Sequence, residues 1–174
     1  MIAKQSIGKS FTGALAYNLK KMDQEKPEAR AELLGTNFSS QNLEDMKKEL
    51  AVMKAMNPRL TKHTWRTSLN VATGEHLTNE KMKAIAEEYM NRMGFDNNLY
   101  CIFRHHDAGH PHCHILALRN RFDGTVVSDS QNYRQSESIV RELEQKYQLQ
   151  VARDSKRSTN KAPDKDELEM MQRT

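Results

Sequence analysis

Hydrophobic side chains at the start of the chain follow first the spacing of a strand and then that of a helix. Met1 to Ile7 predicts a strand, and Ser10, after the following turn, is a typical helix N-cap. The helix is predicted to run to about Met22 with one apolar stripe. Tyr17 falls off this stripe by the 3.6-residue period, which places its phenol outside the core. The stripe consists of Phe11, Leu15, Leu19 and Met22.

The middle of the chain alternates extended and helical segments. β-Branched and aromatic residues indicate the strands, and Ser, Thr and Asn-Pro mark where the helices begin and end. In order, the sequence predicts an extended piece over Glu32 to Phe38, a helix from Ser39 or Ser40 to about Met56, a strand over Lys62 to Ala72 and a helix from Thr78 to about Gly94.

Two apolar stretches, Leu99 to His105 and His112 to Arg119, flank a short polar connection and predict a hairpin. The turn Asp123-Gly124 leads into a short strand at Thr125 to Val127, and a last amphipathic helix covers about Ser136 to Gln148. The resulting order β-α-β-α-β-α-β-β-β-α lacks regular βαβ alternation at its end. It therefore predicts an α+β fold with a mostly antiparallel central sheet flanked by helices.

Length and composition fit one domain over residues 1–150, followed by a charged, loosely ordered tail over 151–174. The net charge of +4 and the pI near 9.0 are compatible with nucleic-acid binding without establishing it. No apolar run approaches membrane length, and the start of the chain is expected to carry no secretory signal. The two cysteines lie in predicted strands without a disulfide framework, so a reducing cytoplasm is expected.

Five of the 7 histidines fall within ten positions, around the predicted hairpin. His112 and His114 are two residues apart on a strand, so both imidazoles share a face, and the hairpin brings His105 opposite them. Three neutral imidazoles suit a divalent transition ion and leave positions open for water or substrate. Asp107 is expected to accept a hydrogen bond from the second ring nitrogen of a ligand.

Two plainer interpretations of the histidines stay open on the sequence alone. In the first interpretation the histidines are ordinary polar surface residues. In the second they form a closed structural zinc site. A closed site needs a fourth ligand, which His110 could supply, whereas Cys113 alternates to the opposite face from its two neighbours. His106 and His110 are expected to matter less for metal binding than the other three.

The pattern His-x-Asp-x-x-His-Pro-His-x-His-Ile resembles the metal motif of conjugative relaxases, the plasmid-mobilisation nucleases of the HUH endonuclease superfamily. In that motif two histidines flank an apolar residue, a place that Cys113 takes here. The segment Ser10-Phe11-Thr12-Gly13-Ala14-Leu15-Ala16-Tyr17 resembles the relaxase segment with the nucleophilic tyrosine. The resemblance covers about residues 1–150, and the two motifs occur in the family's order.

The resemblance implies a palm-like sheet with the histidines on its central strands. It implies site- and strand-specific nicking and rejoining of DNA at a transfer origin, through a 5′-phosphotyrosine on Tyr17. His105, His112 and His114 would hold the divalent ion, with Mg or Mn in use and other transition ions also fitting. Asp107 would orient His105, which we prefer, or help to take the tyrosine proton. The partners would be single-stranded or melted DNA, accessory relaxosome proteins and coupling proteins in the bacterial cytoplasm.

Other enzymes and binding proteins share parts of this pattern. A rolling-circle replication initiator or a single-strand transposase would use the same chemistry, a metal-dependent hydrolase would use water, and a non-catalytic module would bind without cleaving. Tyr133, in a predicted polar loop, is the rival nucleophile. Basic residues are candidate phosphate contacts, although each alone is an ordinary solvated charge. They are Lys4, Lys9, Lys20, Lys21, Arg66, Arg104, Arg119 and Arg121.

Overall fold

A computed structural model of the chain describes residues 1–130 and 132–151. The predicted charged tail lies outside the described residues, except for Val151. A short 3-10 turn over Pro27–Ala29 precedes the second strand. The strands and α-helices are β1 Ile2–Gly8, α1 Phe11–Lys21, β2 Ala31–Thr36, α2 Leu43–Ala55, β3 Thr64–Asn70, α3 Asn79–Arg92, β4 Asn98–His105, β5 His112–Arg121 and α4 Tyr133–Lys146.

The strands form a five-stranded sheet in the order β1-β3-β5-β4-β2, and all four pairs are antiparallel. This confirms the α+β prediction. The additional strand predicted at Thr125 to Val127 is wrong, because this segment forms only an isolated bridge between Val126 and Asn120. Gly124, with a φ of +86°, turns the chain back toward β5, where the Arg121 N–H donates to the Thr125 carbonyl at 2.8 Å.

Local capping explains where the helices begin. Asn42 caps α2 by accepting from the backbone N–H groups of Glu44 and Asp45 at 3.0 and 3.3 Å, so neither predicted serine is the cap. The prediction for α3 is confirmed, because Thr78 accepts from the Lys81 N–H at 3.1 Å. Tyr133 was predicted in a loop but is the first residue of α4.

Helices α1 and α2 pack on one face of the sheet, and α3 and α4 pack on the other. Alternation along the hairpin strands supplies both cores. Phe103 and Leu116 pack with α1 and α2, whereas Ile102 and Ile115 pack with α3 and α4. Full burial of one such side chain stabilises the fold by roughly 1.5–3 kcal/mol. The two cores therefore fix the register of β4 and β5, since a slip of one residue would exchange their faces.

The first face is only partly covered, because α1 and α2 lie over β2, β4 and β5. Apart from Ile2 and the buried Thr64 at the strand ends, this face of β1 and β3 presents polar side chains that are exposed or half-buried. The register pairs Lys4 with Ser68 and Ser6 with Arg66, and it pairs Ser68 with His114 on β5. We call Lys4, Ser6, Arg66 and Ser68 the polar strip. The strip begins beside a histidine strand and reaches the sheet edge at β1.

Candidate functional site

Three histidines meet at one end of the β4–β5 hairpin. His105 and His112 are direct register partners, and His114 lies two residues further along β5 on the same face. The ring centroid of His105 lies 5.6 Å from that of His112 and 4.2 Å from that of His114. Each residue offers a ring nitrogen, and these nitrogens lie within 4.8 Å of one another. The strand geometry thus gathers the predicted ligand set in one place.

The surroundings of these rings favour their neutral forms. Burial first, and then the charge of the neighbouring rings, lower the pKa of His105 to about 3 and that of His114 to about 4. Burial also lowers the pKa of His112. A neutral imidazole is the form that binds a metal ion. The three neutral imidazoles therefore suit a divalent ion. Because His114 is only half-buried, such an ion would keep coordination positions open for water or substrate.

Hydrogen bonds select one nitrogen of His105 and one of His112. Asn18 donates from Nδ2 to the Ala14 carbonyl at 2.8 Å, which directs its Oδ1 to His105 Nε2 at 2.6 Å. Because a carboxamide oxygen only accepts, Nε2 donates, and the Nδ1 of His105 keeps its lone pair. His112 donates in the same way from Nδ1 to the His110 carbonyl at 3.2 Å, so its Nε2 carries the lone pair.

Asn18 is the site residue that the sequence analysis missed. It is 5% exposed and follows Tyr17 on α1. A signal for it exists, since Asn18 lies seven residues after Phe11 and so falls on the apolar stripe of the helix. A polar residue on such a stripe needs a buried partner, which here is His105.

Asp107 has a different partner from the one expected. Its Oδ2 forms an ion pair with the Lys21 ammonium, and its Oδ1 lies 3.6 Å from His112 Nε2. The hydrogen bond from Lys21 lowers the pKa of the Asp107 carboxyl. The predicted orientation of His105 by Asp107 is therefore not what the structure has, because Asn18 holds His105 instead.

The remaining two histidines of the motif have partners of their own. His110 Nε2 lies 3.1 Å from Asn70 Oδ1, and its ring centroid is 5.2 Å from that of His112. His106 Nε2 lies 3.0 Å from a carboxylate oxygen of Glu32. Both stand beside the group of three rather than within it.

The two candidate nucleophiles lie on opposite sides of the sheet. Tyr17 is 60% exposed on α1, next to the residue that binds His105, and its ring centroid is 5.7 Å from Lys21 Nζ. Tyr133 is 53% exposed, but it begins α4, which packs on the other face. The five-stranded sheet therefore lies between Tyr133 and the three histidines.

Of the eight basic candidates, Lys21 is the ion-pair partner of Asp107, and the other seven fall into two groups. Lys4 and Arg66 belong to the polar strip, and Lys9, just before α1, and Lys20, on α1, are exposed. The charge of Arg66 also contributes to the lowered pKa of His114, after burial and His112. These four charges lie on or next to the face that carries the histidines.

The other three arginines are used within the fold. Arg104, on the opposite face, donates to the Leu77 carbonyl at 2.8 Å. Arg119 donates to the Val127 and Lys62 carbonyls at 2.9 and 2.6 Å. Arg121 binds Thr125 and Gly94, and it stands about 30 Å from His112 at roughly 3.3 Å per strand residue. The candidate DNA-binding surface therefore does not include Arg104, Arg119 or Arg121.

Comparison with protein-family models matches residues 17–149 to the MobA/VirD2-like nuclease domain of relaxases. The chain belongs to this family. The match begins at Tyr17 and contains the whole histidine hairpin. This relaxase domain is accordingly a DNA-nicking domain of mobilisation. No curated protein and no solved structure matched the chain significantly. Within residues 1–130 and 132–151, no helix is long and apolar enough to cross a membrane.

Proposed function

We propose that this relaxase domain nicks and rejoins one strand of DNA at a transfer origin, with Tyr17 as the nucleophile. The proposed ligands of a divalent ion are His105, His112 and His114. The ion used in the reaction is proposed to be Mg²⁺ or Mn²⁺. One observation carries the proposal. The helix of Tyr17 is joined to the histidine end of the hairpin twice, by Asn18 to His105 and by Lys21 to Asp107.

The chemistry explains why a tyrosine needs this neighbourhood. A free tyrosine side chain has a pKa of about 10, so its nucleophilic phenolate is scarce at neutral pH. A divalent ion, when bound, neutralises phosphate charge and assists the leaving oxygen. The Tyr17 oxygen forms a bond to phosphorus, the bond from phosphorus to the 3′-oxygen breaks, and that oxygen takes up a proton in place of the phenolic one. The product is a 5′-phosphotyrosine and a free 3′-hydroxyl, and the reverse reaction rejoins the strand.

The residues around the reacting atoms have positioning roles. Asn18 holds His105 in the tautomer that offers Nδ1, and the His110 carbonyl does the same for Nε2 of His112. Asp107 positions Lys21 and, through it, the last turn of α1. None of the three ligands has to lose a proton at neutral pH, because their environment already favours the neutral ring.

The polar strip is the proposed path of the single strand. It leads away from His114 over an uncovered half of the sheet and carries two cations, Lys4 and Arg66. Lys9, just before α1, and Lys20, on α1, add positive charge. Lysine and arginine contacts to phosphate position a strand without reading its sequence. We infer that accessory relaxosome and coupling proteins act with this domain in the bacterial cytoplasm.

Formation of a covalent protein–DNA adduct tests the proposal. Labelled single-stranded oligonucleotides from candidate transfer origins are incubated with the protein and Mn²⁺, and adducts are resolved on denaturing gels. We expect an adduct that Tyr17→Phe abolishes and Tyr133→Phe retains, with the labelled nucleotide on the peptide that contains Tyr17. DNA affinity should stay nearly the same in both variants.

The other outcomes separate the alternative functions. Cleavage without an adduct that survives Tyr17→Phe would indicate a hydrolase that uses water. Binding of the oligonucleotide without cleavage would indicate a non-catalytic module. An adduct on Tyr133 would contradict the assignment of the nucleophile while keeping the chemistry. A replication initiator or transposase would form the Tyr17 adduct at an origin of a different kind.

A further inference from the structure

We propose that Lys21 is a second catalytic residue of the nicking reaction, and that its ammonium group balances the negative charge that develops on the Tyr17 oxygen. This inference rests on the proposed role of Tyr17 as the nucleophile. It assigns to Lys21 a task different from a phosphate contact or a solvated surface charge.

The geometry of α1 brings the two side chains together. Tyr17 and Lys21 are four residues apart, so they lie on one face of the helix. Lys21 Nζ is 5.7 Å from the centroid of the Tyr17 ring. The side chain of Lys21 is only 13% exposed, whereas the neighbouring Lys20 is exposed. The ammonium group is thus held between the tyrosine and the hairpin instead of extending into solvent.

Asp107 fixes the ammonium group from the other side. Its Oδ2 forms an ion pair with Lys21 Nζ across 86 residues of sequence, from the connection between β4 and β5. The other oxygen of the same carboxylate faces His112 Nε2 at 3.6 Å. Tyr17, Lys21, Asp107 and His112 consequently form a continuous row from the nucleophile to the proposed metal ligands.

The protonation state of Lys21 defines what it can do. Burial lowers the pKa of Lys21, but the hydrogen bond and charge of Asp107, and then the oxygen of Tyr17, raise it above its ordinary value. The ammonium group stays charged at neutral pH, so it cannot accept the phenolic proton. Its contribution is electrostatic, from a preorganised cation beside an oxygen that gains negative charge.

The reaction balances without a change in Lys21. On nicking, the bond from the Tyr17 oxygen to phosphorus forms, the bond to the 3′-oxygen breaks, and the 3′-oxygen takes up a proton in exchange for the phenolic one. On rejoining, the Tyr17 oxygen is the leaving group and passes through the same charged state. A cation beside that oxygen therefore accelerates both directions equally and leaves the equilibrium between joined and nicked DNA unchanged.

Single-turnover kinetics at saturating oligonucleotide test this role. Lys21→Met should lower the rates of nicking and of rejoining together, by on the order of 10²-fold, as for loss of one oxyanion donor. The adduct fraction at equilibrium and the Kd for DNA should change little. Lys21→Arg should restore most of the rate. Lys48→Met, which removes an exposed lysine from α2, is the matched control and should be unchanged.

A double-mutant cycle with Asp107→Asn separates a direct role from a structural one. If Lys21 acts on Tyr17, adding Lys21→Met to Asp107→Asn slows the reaction further. If Lys21 serves only to hold Asp107, the double variant is no slower than Asp107→Asn, and the proposal is wrong. A loss confined to DNA affinity would equally overturn it, because that result identifies a phosphate contact.

Chemical rescue covers the case in which Lys21→Met folds poorly. Added ethylamine should restore nicking by Lys21→Ala, since a small primary ammonium can occupy the vacated position, and it should not accelerate the Lys48→Met control. Absence of rescue in a folded Lys21→Ala protein contradicts the proposal. Adduct formation by Tyr17→Phe would instead refute the proposed nucleophile, so the two failures are distinguishable.

Discussion

The two ends of β5 carry similar clusters of polar and basic residues but use them differently. At the first end, His112 and His114 stand with His105 so that one ring nitrogen of each lies within 4.8 Å of the others. At the other end, Arg119 donates to two main-chain carbonyls at 2.9 and 2.6 Å, and Arg121 binds Thr125 and Gly94. One cluster keeps lone pairs for a ligand, and the other completes its hydrogen bonds inside the fold.

This difference shows how a functional cluster is recognised among buried polar residues. A group whose donors and acceptors are matched within the protein stabilises the fold and has little left for a substrate. Buried groups that are held close together with unused lone pairs lower the stability of the fold. A bound ligand makes such an arrangement favourable. Asn98 illustrates the first case, because its side-chain amide donates to the Leu118 carbonyl at 2.7 Å.

The largest expected effect comes from breaking the histidine end. His112→Ala and His114→Ala each remove one of three proposed ligands, so Mn²⁺ affinity should fall by more than the roughly 10–100-fold that loss of an outer-shell partner causes. Calorimetric titration of the metal-free proteins measures this. The unfolding free energy of His114→Ala should hardly change, because His114 forms no hydrogen bond within the described residues, whereas His112→Ala also loses the bond from Nδ1 to the His110 carbonyl. Undiminished Mn²⁺ affinity in both variants would contradict the assignment.

Arg119→Met is the matched change at the other end of the strand. It leaves the Val127 and Lys62 carbonyls without their donor, so the unfolding free energy should fall by about 1–3 kcal/mol. Metal affinity and adduct formation in the folded protein should stay unchanged. If Arg119→Met instead kept its stability and lost DNA cleavage, Arg119 would contribute to the DNA-binding surface.

A smaller effect is expected when the histidine end is kept but its support is removed. Asn18→Leu preserves the approximate shape of the side chain and deletes the acceptor for His105 Nε2. Because the tautomer and ring orientation are then free, Mn²⁺ affinity should fall roughly 10–100-fold. Asn18→Asp keeps an acceptor at the same place and should retain most of the affinity. Equal losses in the two variants would mean that packing, and not the hydrogen bond, is what Asn18 supplies.

The hairpin could be predicted from the sequence because it depends on local rules. Strict alternation sets the shared face of His112 and His114, and a short connection places His105 opposite. Asn18 could not be paired with His105 in this way, since their contact depends on the angle at which α1 crosses the sheet. The sequence reports that Asn18 is polar on an apolar stripe, but not which strand it meets.

Other differences between the sequence analysis and the structure have equally specific causes. The parity of Arg104, one residue before His105, puts it on the other face, yet parity does not tell that α3 covers it. The start of α4 was misplaced because the cap is Asn132, which accepts from the Gln135 N–H at 2.9 Å. Charge alone also cannot distinguish an arginine that binds carbonyls from one that faces solvent.

A pH effect should distinguish the histidine end from the rest of the metal-free protein. The folded pKa values of His105 and His114, about 3 and about 4, lie below the ordinary 6.5. Between these values the unfolded chain binds more protons, so the unfolding free energy falls as pH decreases from about 6.5. At pH 5 the loss should be on the order of 1–2 kcal/mol for His105. Above pH 6.5 neither state is protonated, and this dependence disappears.

Denaturant unfolding with a chelator present, at pH 7 and pH 5, measures the loss. His105→Gln removes the titrating ring, so the difference in unfolding free energy between the two pH values should be smaller in this variant than in the unsubstituted chain. His76→Gln, at an exposed position in the connection between β3 and α3, is the control and should keep the full difference. The same pH response in all three proteins would show that the rings at the hairpin do not cause it.

The smallest effect is expected on the polar strip, which extends the histidine end across β3 and β1. Lys4 is exposed there, and each cation that contacts a phosphate of single-stranded DNA contributes roughly 0.7 to the slope of log affinity against log salt. Lys4→Gln should therefore reduce this slope by about 0.7 and weaken binding only a few-fold, with the rate of nicking at saturating DNA unchanged. Fluorescence anisotropy of a labelled oligonucleotide over a salt series gives the slope. Lys48→Gln, an exposed lysine on α2, carries the same charge away from the strip and should leave the slope as it was. If the two variants lower the slope equally, the strand does not follow the strip and DNA binding depends on net charge alone.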